Sequence, residues 1–270
     1  MPDTISRLRD SNQQAGAVWG AGGTDYDDVS FVISGALLHA AQRLSAKAGD
    51  RVLDVATGTG WTARNVARTG ARVTGVDIAP ALIEAARELA AHIQPRIDYQ
   101  VAEVEALPFG DGAFDGVIST FGVMFAGDHA AAASELGRVC RHGGKLCLAT
   151  WTPDGSVSRF FAALGAHGTT PPPEPSPLLW GDPSYLTTLL GRDFDLKFET
   201  GVSSAYHDSA EDVWAWYLRG FGPLRMLHDS LDAAGKAALK RDVDAYHNHY
   251  AVEAGLHIQR EYLVTIGRRR

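Results

Sequence analysis

Arg51–Asn65 reads RVLDVATGTGWTARN. An apolar run carrying one carboxylate, Asp54, passes into a turn with two glycines, Gly58 and Gly60, and then into a segment of helical character. A strand, a glycine turn and a helix in that order form the opening unit of a nucleotide-binding α/β sheet, in which the helix N-terminus faces the ligand. Outward from this stretch the pattern repeats. ARVTGVD, IDYQVA, FDGVIST and GKLCLATW read as strands, whereas PALIEAARELAAHI and HAAAASELGRVC read as helices. Such alternation predicts a doubly wound parallel sheet. Gly70 and Gly143–Gly144 sit where left-handed helix caps are expected, and Pro80 sits at a helix's first turn.

After Trp151 the rhythm changes. TTPPPEPSP is a stiff connector, WGDPSYLTTLLG a short helix, and FDLKFETGVSSAYH a strand near the sheet edge. Residues 208–250 are helical in pattern and rich in aromatics, and EYLVTIG reads as a last strand, so a helical insertion separates the final two strands. The expected division is 1–44 for N-terminal helices and a flap over the ligand, 45–151 for the ligand-binding core, and 152–270 for a cap plus the last strands.

The chain has 270 residues, 45% hydrophobic and 21% charged, with a formal net charge of −7. This suits a globular protein with a large buried core, and no apolar run approaches the roughly 20 residues of a membrane span. The N-terminus has no apolar stretch after its basic residues, so the expectation is a cytoplasmic protein. No basic footprint for nucleic acid is present, and Arg268–Arg270 are expected as a solvated tail. Cys140 and Cys147 are expected as free thiols. His247 and His249 lie two apart and point to different sides of a helix, so no metal is expected there. The partner predicted is a small molecule, with neither nucleic acid nor membrane, and the protein is expected as a monomer or homodimer.

Gly58, Gly60 and Ala63 fit the G-x-G-x-x-G/A spacing of dinucleotide pyrophosphate sites. Asp54 argues against that ligand, because a carboxylate at the strand end repels a pyrophosphate and receives an ammonium group. Asp77, ending the strand in GVDIAP, can accept hydrogen bonds from both ribose hydroxyls. Ile78 offers an apolar face, and Glu103 with the Val104 backbone can meet a purine edge. An amino acid, a ribose and an adenine in a row describe S-adenosylmethionine. An NAD-dependent oxidoreductase rests on the glycine spacing alone. A non-catalytic sensor of the same ligand shares every motif and differs only in turnover.

DVATGTG, GVDIAPALIEAAR, AEVEALPFGDGAFDGVIS and FGVMFAGDHAAAASELGRVCRHGGKL, in that order, resemble the class I S-adenosylmethionine-dependent methyltransferases, type 11 group, which includes enzymes like the ubiquinone/menaquinone biosynthesis methyltransferases. The resemblance covers about residues 45–151. WGAGGTDYDDVS and PSPLLWG also look like segments of bacterial members. It implies an α/β, Rossmann-like, seven-stranded and mostly parallel sheet with a helical cap. It further implies that Asp54, Gly58 and Gly60 contact the methionine part, Asp77 the ribose, Ile78 the adenine face, and Glu103 with Val104 the adenine edge, with Ala56 and Thr57 also binding the cofactor. Ser119, Thr120 and Phe121 would lie beneath the sulfonium. Ala56 stands where the group usually has glycine and Glu103 where it usually has aspartate; neither change removes a needed group.

Methyl transfer from a sulfonium needs in-line placement and exclusion of water more than strong acid or base assistance. For a protonated acceptor, His129 is the first candidate base, with His207 or His228 of the insertion as others. The turn after the fourth strand reads STFG, not the N/D-P-P-Y/F of enzymes that methylate base or amide nitrogens; with the acidic charge this points to a small-molecule acceptor, a secondary metabolite or a quinone-like compound being among the possibilities. Trp19 and Tyr26 lie in WGAGGTDYDD, too glycine-rich for a stable helix, and are expected as a flap over the cofactor. Trp214, Trp216, Tyr217 and Phe221 fall at helical spacings, whose usual meaning is core; the sharper reading makes them acceptor-pocket walls.

Overall fold

The computed structural model describes residues 8–169 and 171–270. Three helices, α1 (Asp10–Gly20), α2 (Tyr26–Phe31) and α3 (Ser34–Leu44), precede the first strand. The core then alternates β1 (Arg51–Val55), α4 (Trp61–Ala67), β2 (Arg72–Asp77), α5 (Pro80–Leu89), β3 (Asp98–Val101), β4 (Phe114–Thr120), α6 (His129–Val139) and β5 (Cys140–Trp151). Helices α7 (Ser156–Gly165) and α8 (Pro183–Leu190) lead to β6 (Phe194–His207). Three further helices follow: α9 (Ala210–Gly220), α10 (Gly222–Ser230) and α11 (Ala233–Asn248). The two-residue β7 (Ala251–Val252) then pairs with the start of β8 (Gly255–Arg269).

The sheet order is β3-β2-β1-β4-β5-β8-β6. Strands β1 to β5 are parallel, and β8 runs antiparallel between β5 and β6. From β1 the chain builds outward to β3, then returns to the other side with β4. That reversal opens a crevice at the carboxyl ends of β1 and β4, the place where ligands bind such sheets. Four of the five β1 residues are buried, as the unbroken apolar run requires of a strand covered on both faces.

A second buried cluster joins Phe160 and Leu164 of α7 to Trp214, Tyr217, Phe221, Leu224, Leu239 and Val243 of the insertion. Side chains cap the helices of this half: Asp182 accepts from the Ser184 and Tyr185 amides, Ser209 from Asp212, and Asp232 from Gly235.

Three expectations are corrected. WGAGGTDYDD is largely helical: α1 runs through Trp19 and Gly20, a 3-10 turn spans Gly23–Asp25, and α2 starts at Tyr26. Packing on the rest of the protein outweighs the low helix propensity of glycine. Gly143–Gly144 lie inside β5 and cap no helix. Cys140 already pairs with Phe114, and the strand shifts register before Lys145 pairs with Gly116, so Gly143, at φ +69°, serves a bulge. Arg268 and Arg269 belong to β8, and Arg269 pairs with Asp193 at 3.0 Å while its Nε donates to the Gly137 carbonyl. Arg270 pairs with Asp195 at 2.8 Å, so these arginines pin the sheet edge. Cys140 and Cys147 are free and buried, and among the described residues no helix is long and apolar enough to cross a membrane.

Candidate functional site

The crevice holds a cavity of about 1000 Å³, its open mouth included. Its wall brings together Trp19, Tyr26, Ala56, Thr57, Gly58, Asp77, Ile78, Glu103, Val104, Thr120 and Phe121, residues from widely separated parts of the chain. Asn12, Trp61, Thr62 and Glu105 line it as well. Trp61 and Thr62 directly follow the glycine turn, and that adjacency was the signal for them. Asn12 carried none, because only the packing of α1 over the crevice places it there.

Asp77 sits at the carboxyl end of β2. Its Oδ2 accepts the Gly58 amide at 2.9 Å and its Oδ1 the Ala79 amide at 2.9 Å. A carboxylate has about four lone-pair sites, so two acceptor positions remain. Burial pushes its carboxyl above the ordinary range, while the three nearby backbone amides oppose that shift. The strand ends on either side of the crevice are strained: Ala56 has φ +54° and Phe121 φ +61°, both in a region L-residues seldom adopt. Such outliers gather where backbone geometry serves a site.

Glu103 meets α1 before it meets any ligand. Its Oε2 accepts the Arg9 amide at 3.1 Å and the Asn12 side-chain amide at 2.8 Å, and its Oε1 pairs with the Arg9 guanidinium at 3.2 Å. Glu105 accepts the same Asn12 amide at 2.6 Å and the Asp128 backbone amide at 2.7 Å. These two carboxylates therefore fasten the N-terminal helix over the cavity.

Asp54, Gly60, Ser119 and His129 do not line this cavity. Asp54 is fully buried behind it and accepts the Thr57 hydroxyl at 2.6 Å, so it reaches the wall through Thr57. Its Oδ1 has no hydrogen-bond partner among the described residues, and burial pushes its carboxyl up to about 7. Gly60, at φ +85°, lies beneath the turn, where a Cβ would collide with the Tyr99 hydroxyl. Ser119 is fully buried, donates to the Val55 carbonyl at 2.7 Å and accepts the Val123 amide at 3.1 Å, joining β4 to β1. His129 is buried between Tyr185, whose hydroxyl lies 2.8 Å from Nδ1, and the edge of Trp180. Helix α6 turns that imidazole toward α8 and away from the crevice, and burial lowers its basicity.

A second cavity, about 680 Å³ with its open space, adjoins the first. Trp19, Tyr26, Ile33, Phe121 and Phe125 belong to both walls. Beyond them the second cavity is bounded by Trp151, Val157, Phe160, Phe161, Tyr217, Phe221, Tyr246, His247, Ile258 and Arg260. Phe121 stacks on Trp151 with ring centroids 3.8 Å apart, and Trp19 packs against Phe125 at 4.8 Å. Of the insertion's aromatic run, Tyr217 and Phe221 reach this wall; Trp214 is core beside Lys240, and Trp216 packs on His207.

His247, one of the two histidines of the His-x-His pair, lines the second cavity. Its Nδ1 lies 2.7 Å from the Val243 carbonyl, which can only accept, so Nδ1 carries the proton and Nε2 is left as an acceptor. Burial lowers its pKa to about 4, so the ring is neutral at physiological pH. His207 and His228 line neither cavity.

The N-terminal segment around Gly20–Gly23 is held by close backbone contact with the insertion. A Cβ on Gly22 would strike the Gly220 carbonyl, and one on Gly222 would strike the Val18 carbonyl. Arg225 adds a hydrogen bond to the Ala21 carbonyl at 3.0 Å. Gly222→Val is therefore expected to lift α1 from α10, costing about 1–3 kcal/mol as overpacking does. Proteolysis should become faster near Gly20–Gly23 while the sheet stays folded. An unchanged cleavage pattern with unchanged melting would mean that this contact does not hold the segment.

The methyltransferase-domain family matches residues 53–148. Two uncharacterised proteins of Mycobacterium tuberculosis are similar to the chain: one is 40% identical over 178 residues, 65% of each chain, and the other 35% identical over 229 residues, 82% of each. The match thus spans a little under two thirds of the first of these. A demethylmenaquinone methyltransferase of Tropheryma whipplei is 35% identical over 123 residues, 45% of this chain and 51% of that one. Among solved structures, the YcgJ protein of Bacillus subtilis superposes with a TM-score of 0.61 at 19% identity, covering 88% of this chain and 97% of that chain, which is a likeness of fold.

Proposed function

The chain belongs to the class I S-adenosylmethionine-dependent methyltransferases, and from that premise we propose that it transfers the sulfonium methyl of S-adenosylmethionine to a small-molecule acceptor held beneath the N-terminal flap. The observation that carries this reading is the wall common to the two cavities: a polar-ended crevice at the strand switch opens past Trp19, Tyr26 and Phe121 into an aromatic chamber. Two substrates bound in these spaces would meet at that wall.

The residues fit the cofactor. Thr57 and Gly58 would face its methionine part, the two remaining acceptor positions of Asp77 its ribose hydroxyls, and Ile78 with Val104 the two sides of its adenine. The unpartnered Oδ1 of Asp54 is a waiting acceptor behind the turn. When bound, the cofactor supplies an electrophilic methyl on a good leaving group. The protein's own part is to align the acceptor, exclude water with the aromatic wall, and take a proton from the acceptor at His247 Nε2 when the nucleophile arrives protonated. An aromatic chamber suits an apolar or aromatic small molecule.

Calorimetry tests the cofactor: S-adenosylhomocysteine is expected to bind with micromolar or tighter affinity, about −8 kcal/mol or more, and NAD not at all. Tighter binding of NAD would overturn the reading. Labelled S-adenosylmethionine offered with a metabolite extract should then yield a labelled small product; no transfer to any component would leave a binding protein, not an enzyme.

A proton signature should accompany binding. Asp54 titrates near 7 in the free protein, and an ammonium brought close to it favours its ionised form. Binding near pH 7 should therefore release a fraction of a proton, and affinity should weaken as pH falls below 7, toward about tenfold per unit. Buffers of different ionisation enthalpy measure this directly, and Asp54→Asn should abolish it. A binding enthalpy independent of buffer would place the ammonium elsewhere.

A further inference from the structure

We propose that the aromatic chamber selects an acceptor bearing one carboxylate, paired with Arg260. This rests on the reading of that chamber as the acceptor site. Arg260 projects from β8 on the same face as Ile258, also a chamber residue, and is only 7% exposed. Among the described residues its guanidinium makes no hydrogen bond and no ion pair, and its Nη2 is a buried donor without a partner. Buried arginine is ordinarily paired, because an uncompensated charge in an apolar setting is costly.

None of the side chains around Arg260, among the described residues, pairs with its guanidinium. His247 and His207 both feel the guanidinium's field, which acts with burial to hold them neutral. Asp208 and Asp212 act on His207, and Asp244 on His247, yet none forms an ion pair with Arg260; Asp244 pairs through Oδ2 with Lys240 at 2.6 Å, and its buried Oδ1 is left without a hydrogen bond. The Tyr246 hydroxyl donates to the Ser156 carbonyl at 3.0 Å. One cation stands in a wall that is otherwise mostly aromatic.

The charge count sets the ligand class. A monoanion neutralises a single guanidinium, whereas a phosphate dianion would leave a net negative charge among aromatic rings. The planar donor fork matches a carboxylate in two parallel hydrogen bonds. An aromatic ring bearing the carboxylate would use the surfaces of Phe160, Phe161 and Tyr217. Burial is the main cause of His247's low basicity; pairing would remove only the smaller contribution of the Arg260 charge to it.

The test uses benzoate and the three hydroxybenzoates against the corresponding benzamides, titrated into the full chain with and without S-adenosylhomocysteine. At least one acid should bind about tenfold or more tightly than its amide. Arg260→Gln should erase that preference and Arg260→Lys retain part of it. Arg260→Met should raise the melting temperature of the unliganded protein, because it removes a buried unpaired charge, and should lose the further rise that the acid gives the parent. Equal affinity for acid and amide, a preference that survives in Arg260→Gln, or no binding of any acid at millimolar concentration would each overturn the proposal. S-adenosylhomocysteine binding is read separately: its failure in the parent protein, with the acid preference intact, would sink the cofactor reading and leave the anion site standing.

Discussion

Asp77→Ala is expected to weaken S-adenosylhomocysteine binding by at least about tenfold, and by more than about a hundredfold where both ribose hydrogen bonds are lost, since each hydrogen bond to a charged group contributes roughly 1.5–3 kcal/mol. The carboxylate would accept two ribose hydroxyls, and it already holds the amides of Gly58 and Ala79. Alanine thus removes the ribose acceptor and loosens the turn that faces the methionine part. Asp77→Asn separates the two effects. Its amide keeps one carbonyl acceptor but sets an NH2 against one of the two backbone amides, so an affinity between those of the parent and alanine proteins is expected. Calorimetry gives the affinities, and a thermal melt shows whether the sheet remains folded. A dissociation constant for Asp77→Ala equal to the parent's would remove the ribose from this strand end.

The second large effect concerns turnover. With an acceptor identified by label transfer, His247→Phe is expected to lower kcat by about 10²–10⁴, the range of a lost general base, while leaving S-adenosylhomocysteine affinity unchanged. Phenylalanine keeps the ring that packs against Phe160 and Tyr217 and removes only the nitrogens. The stability change carries a sign that can be checked. His247 has its pKa lowered from 6.5 to about 4 in the folded protein, so its neutral form supports the fold above pH 6.5, and that support is lost as pH falls toward 4. His247→Phe should therefore flatten the loss of stability between pH 6.5 and 4, by up to about 3 kcal/mol. Asp54 runs the other way: its pKa is raised from 3.8 to about 7, so its neutral form favours the fold at low pH and that contribution fades as pH rises through this window. The comparison must be made between variant and parent at each pH. Full turnover in His247→Phe would assign the proton to solvent or to the acceptor itself.

The cavity wall was legible wherever the ligand-facing residue lies in the loop that ends a strand. Thr57 and Gly58 after β1, Ile78 after β2 and Val104 after β3 are contiguous with apolar runs whose period is plain, and the switch in strand order brings those ends together. Residues inside the strands or under the turn stand behind that wall and do not line it. Asp54 and Ser119 precede the strand ends, where side chains alternate between faces, and both turn inward to bond the backbone or a neighbour. Spacing alone does not distinguish close approach to a ligand from close approach to Tyr99, and in the fold Gly60 packs against Tyr99.

The sequence by itself determined the parallel core, its strand ends and the chemistry gathered there, because each is set by local periodicity and by residues within one βα unit. It also marked the insertion and the edge strand. Only the tertiary structure decided what lies over the crevice. Helix α1 is weakly helical by composition and is fixed by distant partners, Glu103, Glu105 and the α9–α10 junction. The aromatic chamber is assembled from α7, α9, α11 and β8, so His247 and Arg260 meet Phe121 only after the chain has closed. Proximity between elements so far apart in sequence comes from packing of whole faces, for which no local pattern exists.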